Sequence, residues 1–419
     1  MAIQDDSSVA LIPSAYGTSK VYSVIPSNGN GDFTFSRSGN ATRVNKGGFI
    51  ETMGTNVPRL DYPLIDGVVQ DCPALLLEPS RTNYVTNSED LTGGSKSVVT
   101  ATANTTETTD PSGGNNATKF QVTASGSDAY SRTQYTAALT NFSSSVYVKA
   151  SEGQKFQIFL ARDSYSQIVN GDLITCTGDW QRVEFSGTFN TTSSTVVLGI
   201  EFGHSATDSV SGQVYYCWGA QLEAGSYPTS YVKTSGSTAT RSADVCNGSG
   251  TSAEFNDSEG VLFVESAALA NDGTSRVIAS ISNGSITTNR VVLQYTNASG
   301  GNEVVAFAQA TSYSSVLTRS IADALTFNKF AVVYNDSTNN FDSWVNGTKI
   351  GDGTFNYSFT SNSLSKIQFA DGNSTSNPFY GKTKQLMTFK TALTDSELET
   401  LTSWDSFNAM ATGQLYTIE

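Results

Sequence analysis

Short apolar runs that alternate with polar positions recur along almost the whole chain. In Ser145-Val-Tyr-Val-Lys-Ala150, Val146 and Val148 fall on one side of an extended strand, and Tyr147 and Lys149 on the other. In Lys155-Phe-Gln-Ile-Phe-Leu-Ala161, Phe156, Ile158 and Leu160 share a face. Between the runs lie residues that turns require: Asn28-Gly29, Lys46-Gly47-Gly48, and Asp110-Pro111 up to Gly114. Val345-Asn346-Gly347-Thr348 predicts a two-residue hairpin of the primed type, because both central positions tolerate positive φ. A helical period emerges only near the end. There Thr394 and Glu397 make a capping box, and Leu398 and Leu401 give the helix an apolar face.

The pattern therefore predicts an all-β protein with one short C-terminal helix. A length of 419 residues is too great for a single sandwich. Residues 1–90 read as a small N-terminal β module with strands at Phe33–Phe35 and Phe49–Ile50, and prolines bracketing Leu75–Leu77. Residues 91–235 carry the evenly spaced strands of an antiparallel jelly-roll-type β-sandwich. A linker follows at 236–249, then a second such sandwich at 250–405 and a tail at 406–419. Ser38 to Arg43 is echoed by Ser235 to Arg241, and Leu77-Glu78 by Leu222-Glu223. A repeated linking device and coincidence in a Ser/Thr-rich chain both account for the echo.

Charged residues make up 15% of the chain, against about 25% in ordinary globular domains, so the surface is neutral and hydrogen-bonding. The net charge of −14 repels phosphate backbones and argues against nucleic acid as a partner. No apolar run is long enough for membrane insertion. The first residues lack the basic and apolar regions of a signal peptide, which predicts synthesis in a cytoplasm. Cys72, Cys176, Cys217 and Cys246 lack CxxC spacing. They are expected as free thiols rather than with a Cys176–Cys217 bridge.

Candidate chemistry is sparse. Glu254 and Asp257 would face opposite sides of a strand, the wrong arrangement for paired glycosidase acids, and Glu259 does not repair it. His204 is the single histidine, and no G-x-S-x-G elbow accompanies it. The chain is read as a non-enzyme. Asp110 with Asn115, and Asp371 with Asn373, offer the oxygen chemistry of Ca²⁺ ligands, and ordinary turn chemistry explains them equally. Aromatic platforms for sugar are sought at Tyr313, Trp344, Tyr357 and Tyr380 in the last unit. Tyr130, Tyr135, Tyr165 and Trp180 are the counterparts in the middle one. Trp218, on a strongly apolar strand, is assigned to the core.

Several strings carry a resemblance. Gly219-Ala-Gln-Leu-Glu-Ala-Gly225, Tyr227-Pro-Thr-Ser-Tyr231 and Thr240-Arg-Ser-Ala-Asp244 resemble a run common in structural proteins of tailed bacteriophages. Phe35-Ser-Arg37, Ala41-Thr-Arg-Val-Asn45, Pro58-Arg-Leu-Asp-Tyr62 and Leu75-Leu-Leu-Glu-Pro79 belong to the same pattern. In that family the run joins a carbohydrate-binding-module-like sandwich to one similar to concanavalin A or laminin G. Phe330 to Gly351 and Gly381 to Trp404 resemble the latter. The resemblance implies a virion fibre or decoration protein, attached through residues 1–90 to other capsid or tail proteins. It implies a homo-oligomer, a trimer above other states, and adhesion to host-surface glycans through the last sandwich. A non-binding decoration role stands as the alternative, with a capsule depolymerase behind it.

Overall fold

The computed structural model describes residues 3–405 except 63, 66–67, 139, 163–164, 192–193, 204–207, 297–301, 312–313 and 374–375. It is nearly all β, with antiparallel pairing throughout the described sheets. His204 and Tyr313 lie outside the described residues.

The middle sandwich has two sheets. One runs Ser95–Ser97, Tyr130–Thr136, Thr195–Phe202, Lys155–Arg162 and Gln167–Asn170 in spatial order, with Ile174–Thr175 also paired to Lys155–Arg162. The other runs Val99–Thr102, Thr118–Val122, Val214–Ala224, Asn141–Ala150 and Gln181–Thr188. The alternation expected from sequence is observed: Val146, Val148, Phe156, Ile158 and Leu160 all join one buried core between the sheets. Trp218 is fully buried, as expected, and packs between Tyr147 and Tyr231.

The last sandwich is larger than its own segment predicts. Val9–Leu11 and Ala74–Leu77 both pair with Gly381–Phe389 in one sheet. Phe33–Ser36 pairs with Val245–Ser249 in the other. Val9, Leu11, Phe33, Phe35, Leu75 and Leu77 then share one core with Ile278, Leu293 and Phe330. These strands of residues 1–90 are thus built into the second sandwich rather than forming sheets of their own. The physical reason is that strands of two to four residues cannot bury a core alone. Val345 pairs with Thr348 across Asn346 and Gly347, whose φ values of 49° and 80° are those of the expected primed turn. The helix spans Asp395–Thr402, and its capping box and buried Leu398 and Leu401 match the sequence reading.

Between the sandwiches lies a buried polar junction. Glu78 accepts from the Ser230 amide at 2.7 Å and hydroxyl at 2.6 Å, and from Arg59 at 2.6 Å. Arg241 reaches the same carboxylate at 3.0 Å. Asp244 accepts from Arg37 at 3.0 Å, from Arg59, and from the Glu78 amide at 2.9 Å. Glu223 accepts from the Thr229 amide and hydroxyl at 2.8 and 2.6 Å. Asn83 uses all four of its amide bonds, to Ala220, Val232, Val85 and Leu222. Gly219 takes φ +65°, and a Cβ there would press on Tyr147 and Tyr231 at 3.2 and 3.4 Å.

Burial opposes ionisation of Glu78, but Arg241 and Arg59 outweigh it and hold the carboxyl well below its ordinary range. For Glu223 burial prevails, and its pKa is raised. Cys176, Cys217 and Cys246 are buried free thiols and Cys72 is an exposed one. Burial pushes Cys176 up to about 11 and Cys217 well above its usual value.

Candidate functional site

The six-stranded sheet of the middle sandwich sends alternate residues into the core, including Tyr135, Leu198, Ile200 and Ile158. The residues between them point away from it. Cross-strand register sets Tyr130 opposite Glu201, and Glu201 opposite Gln157. One step along, Arg132 is opposite Gly199, Gly199 opposite Phe159, and Phe159 opposite Asn170.

Arg132 is the centre of this face. Its guanidinium carbon lies 3.6 Å from the Tyr130 ring centroid, 5.1 Å from that of Tyr165 and 5.3 Å from that of Phe159. A cation over an aromatic face is attracted by the ring quadrupole, by about 0.5–1 kcal/mol where water has access. Glu201 stands 4.0 Å from the guanidinium, and both side chains keep about a quarter of their surface exposed, 26% and 28%. The buried Nε of Arg132 has no protein acceptor. Phe159 lies flat on Gly199, where a Cβ would come within 2.0 Å of the ring. Glycine is therefore required on that strand for the ring to lie down. Tyr165 is 40% exposed and adopts φ +69°, a costly backbone for an aromatic residue. Gln157 is oriented by its 2.8 Å bond to the Gly171 carbonyl.

Phe159 is buried beneath the cluster, and the arrangement presents the half-buried Tyr130 and the exposed Tyr165 with guanidinium donors and a carboxylate acceptor. That is what a sugar demands: its C–H face stacks on a ring, and its hydroxyls both give and take hydrogen bonds.

The platforms expected in the last sandwich fare differently. Trp344 is only 5% exposed and packs with Val261, Phe389, Leu398 and Leu401 beneath the helix, so it is core and not a platform. Tyr357 packs on the main core, its ring 4.4 Å from Phe355, and its hydroxyl donates to the Ala308 carbonyl at 2.9 Å. Tyr380 is half-buried and lines a cavity of about 190 Å³ with Leu77, Asp244, Phe369 and Phe379. The three sit in different surroundings, and the structure does not bring them together. In the middle unit Tyr135 is core, and Trp180 donates to the Thr109 carbonyl at 2.8 Å. Tyr130 and Tyr165 are the two sequence candidates that meet. Arg132, Glu201 and Gln157 were not legible, because their charges or amides converge only through strand register.

The Ca²⁺ candidates are occupied by local bonding. Asp110 accepts from the amides of Ser112, Gly114 and Asn116 and from the Ser112 hydroxyl, at 2.7–3.0 Å. Burial raises its pKa, and these bonds outweigh burial, leaving it lowered. Asn115 is exposed beside it. Asp371 pairs with Arg290, and the Asn373 side chain accepts from the Ser376 amide at 2.9 Å. Among the described residues no group of three or more His, Cys, Asp or Glu could hold a metal ion. Calcium needs six to eight oxygens, and these carboxylates serve turns and an ion pair instead.

The acids near residue 254 do not converge either. Glu254 bonds to the Thr251 amide and hydroxyl, Asp257 to the Asn362 and Leu364 amides, and Glu259 to the Ala392 amide. Among the described residues no helix is long and apolar enough to cross a membrane.

No protein-family model matches the sequence, and no curated protein does. Among solved structures, the chain is similar to the carbohydrate-binding module CBM40 of a Ruminococcus gnavus intramolecular trans-sialidase. The identity is 16% and the TM-score 0.32, over 38% of this chain and 94% of that one. A leech intramolecular trans-sialidase aligns at 15% identity and TM-score 0.31, over 38% of this chain and 27% of that one. A CBM4 module aligns at 14% identity and TM-score 0.22, over 27% of this chain and 72% of that one.

Proposed function

We propose that this chain is a non-catalytic glycan-binding protein, and that the outer face of its middle sandwich is the binding surface. The observation that carries the reading is the Arg132 cluster: one guanidinium among three rings, in register with Glu201 and Gln157. A pyranose stacks on Tyr130 or Tyr165 while Arg132 and Glu201 take its hydroxyls. Single contacts of this kind are weak, and repetition over several copies makes adhesion effectively tight.

The setting we propose is a tailed-phage virion, where the chain serves as a fibre or appendage, as a trimer, and engages host-surface glycans. Support comes from the sequence strings that resemble phage structural proteins. Their charged members, Arg37, Arg59, Glu78, Glu223, Arg241 and Asp244, build a buried junction between the sandwiches. A rigid junction suits an appendage that must present a binding face at a fixed angle.

The test is adhesion of the full chain to bacterial cells of the host, before and after periodate oxidation of surface glycans. Binding is expected to vanish with periodate and to fall at least tenfold in Arg132→Ala. Binding that survives both treatments would remove the glycan reading. Absence of the chain from purified particles of the phage that encodes it would remove the virion setting.

A further inference from the structure

A second feature lies outside the middle face. Three separate segments enclose an open cleft of about 450 Å³ near the N-terminus, lined among others by Tyr16, Arg43, Lys46, Phe49, Glu51 and Tyr62. That volume is in the range of small-ligand sites. The hairpin Ala41–Val44 and Ile50–Met53 forms one wall and sets Arg43 directly opposite Glu51.

The cleft is a built site. Phe49 sits at the hairpin tip with 45% of its surface exposed. The tip is fixed by the Asn45 side chain, which accepts from the amides of Gly47 and Phe49 at 2.9 and 3.1 Å. The Ile50 amide donates to the Pro111 carbonyl at 2.8 Å, docking the hairpin on the middle sandwich. Gly47 and Gly113 flank the ring, and a Cβ at either would touch it at 3.4 and 3.6 Å. An exposed phenylalanine held this firmly is a pre-organised stacking surface.

Polar chemistry faces the ring. Arg43 pairs with Glu51 at 3.0 Å, donates to the Leu60 carbonyl at 3.1 Å, and lies 5.4 Å from the Tyr16 ring centroid. The pair offers donors and an acceptor with no net charge. Glu51 keeps 43% of its side chain exposed, so the acceptor is reachable. Neighbouring hydroxyls of a sugar both donate and accept, and so match such a pair. Lys46 is exposed at the rim, but an anion would have to displace Glu51 to reach Arg43.

We propose that this cleft is a second carbohydrate site, for a neutral pyranose stacked on Phe49 and hydrogen-bonded to Arg43 and Glu51. It stands apart from the middle face and does not depend on it. Two sites on one rigid chain would let a single molecule bridge two sugars of one polymer.

The experiment is saturation-transfer NMR on the full chain carrying Arg132→Ala, which silences the first face. The probes are the methyl glycosides of glucose, galactose and N-acetylglucosamine, with methyl glucuronide as the acidic comparison. At least one neutral glycoside is expected to receive saturation, and Phe49→Ala is expected to weaken it at least tenfold. Glu51→Gln, which preserves shape and frees the Arg43 charge, is expected to shift preference toward the glucuronide. No transfer to any neutral glycoside, unchanged transfer in Phe49→Ala, or unchanged preference in Glu51→Gln would each overturn the proposal. An unaltered unfolding midpoint in Phe49→Ala identifies its loss as loss of contact. If that variant does not fold, Glu51→Gln decides alone.

Discussion

Arg59 and Asp244 form an ion pair in which neither side chain has any exposed surface. The two residues stand on opposite sides of the whole middle sandwich in sequence, so this contact closes the chain around that domain. Glu78 takes the other terminal nitrogen of Arg59, and desolvation of that guanidinium is outweighed by the two carboxylates, which raise its pKa. A buried ion pair adds little beyond a well-packed apolar substitute, but removing one partner strands the other charge.

Single truncation at this junction is therefore expected to be severe. Arg59→Ala and Asp244→Ala should each lower unfolding free energy by about 3–5 kcal/mol in chemical denaturation. A loss of less than about 1 kcal/mol would mean that water reaches the network and screens it.

Glu78 also fixes a pH dependence. Its folded pKa is lowered, so the unfolded chain binds the proton more readily. The stabilisation is complete above the unfolded value of about 4.3 and is lost as pH falls toward the folded one. Glu223 has the opposite sign, since its raised pKa favours the folded state at low pH and that benefit is lost as pH rises. Asp272, lowered to about 2 beside Ser226 and Arg276 despite burial, acts with Glu78. The midpoint of denaturation should thus fall from pH 5 to pH 3. The gap between wild type and Glu78→Gln should narrow over the same range, and a constant gap would exclude Glu78 as its source.

How far the sequence reached depends on whether a property is local. Strand alternation, the Asn346-Gly347 turn and the Thr394 capping box were legible because each rests on neighbours a few residues apart. The pairing of Val9–Leu11 with Gly381–Phe389 was not, since nothing local distinguishes a strand that completes a distant sheet. Repeated Arg and Glu in the linker strings were visible, but their burial became evident only when Arg37, Arg59, Glu78 and Asp244 met. Trp344 misled for a related reason: its strand faces solvent by pattern until the helix Asp395–Thr402 covers it.

Asp110 gives a clean test of turn against metal. Its oxygens already accept four bonds from residues two to six positions ahead. Chelation with EDTA and addition of millimolar Ca²⁺ should leave the thermal midpoint unchanged. Asp110→Ala should lower stability by about 1–3 kcal/mol, the loss expected when several part-buried groups lose a buried, charged acceptor. A rise in midpoint with Ca²⁺ that disappears in Asp110→Ala would restore the metal reading.

Two aromatic substitutions separate binding from packing. Trp344 lies in the cluster beneath the helix, so Trp344→Ala should cost about 3–5 kcal/mol of stability. Once allowance is made for the unfolded fraction, it should leave adhesion to cells intact. Tyr130 packs its ring against Arg132 on an outer face and joins no buried core cluster. Tyr130→Ala should therefore change stability by less than about 1 kcal/mol, near the value of an exposed cation–ring contact. Its adhesion should fall at least tenfold, because a sugar loses its stacking surface and Arg132 loses the ring that orients it. The reverse pattern, with adhesion lost in Trp344→Ala and kept in Tyr130→Ala, would return the binding face to the last sandwich.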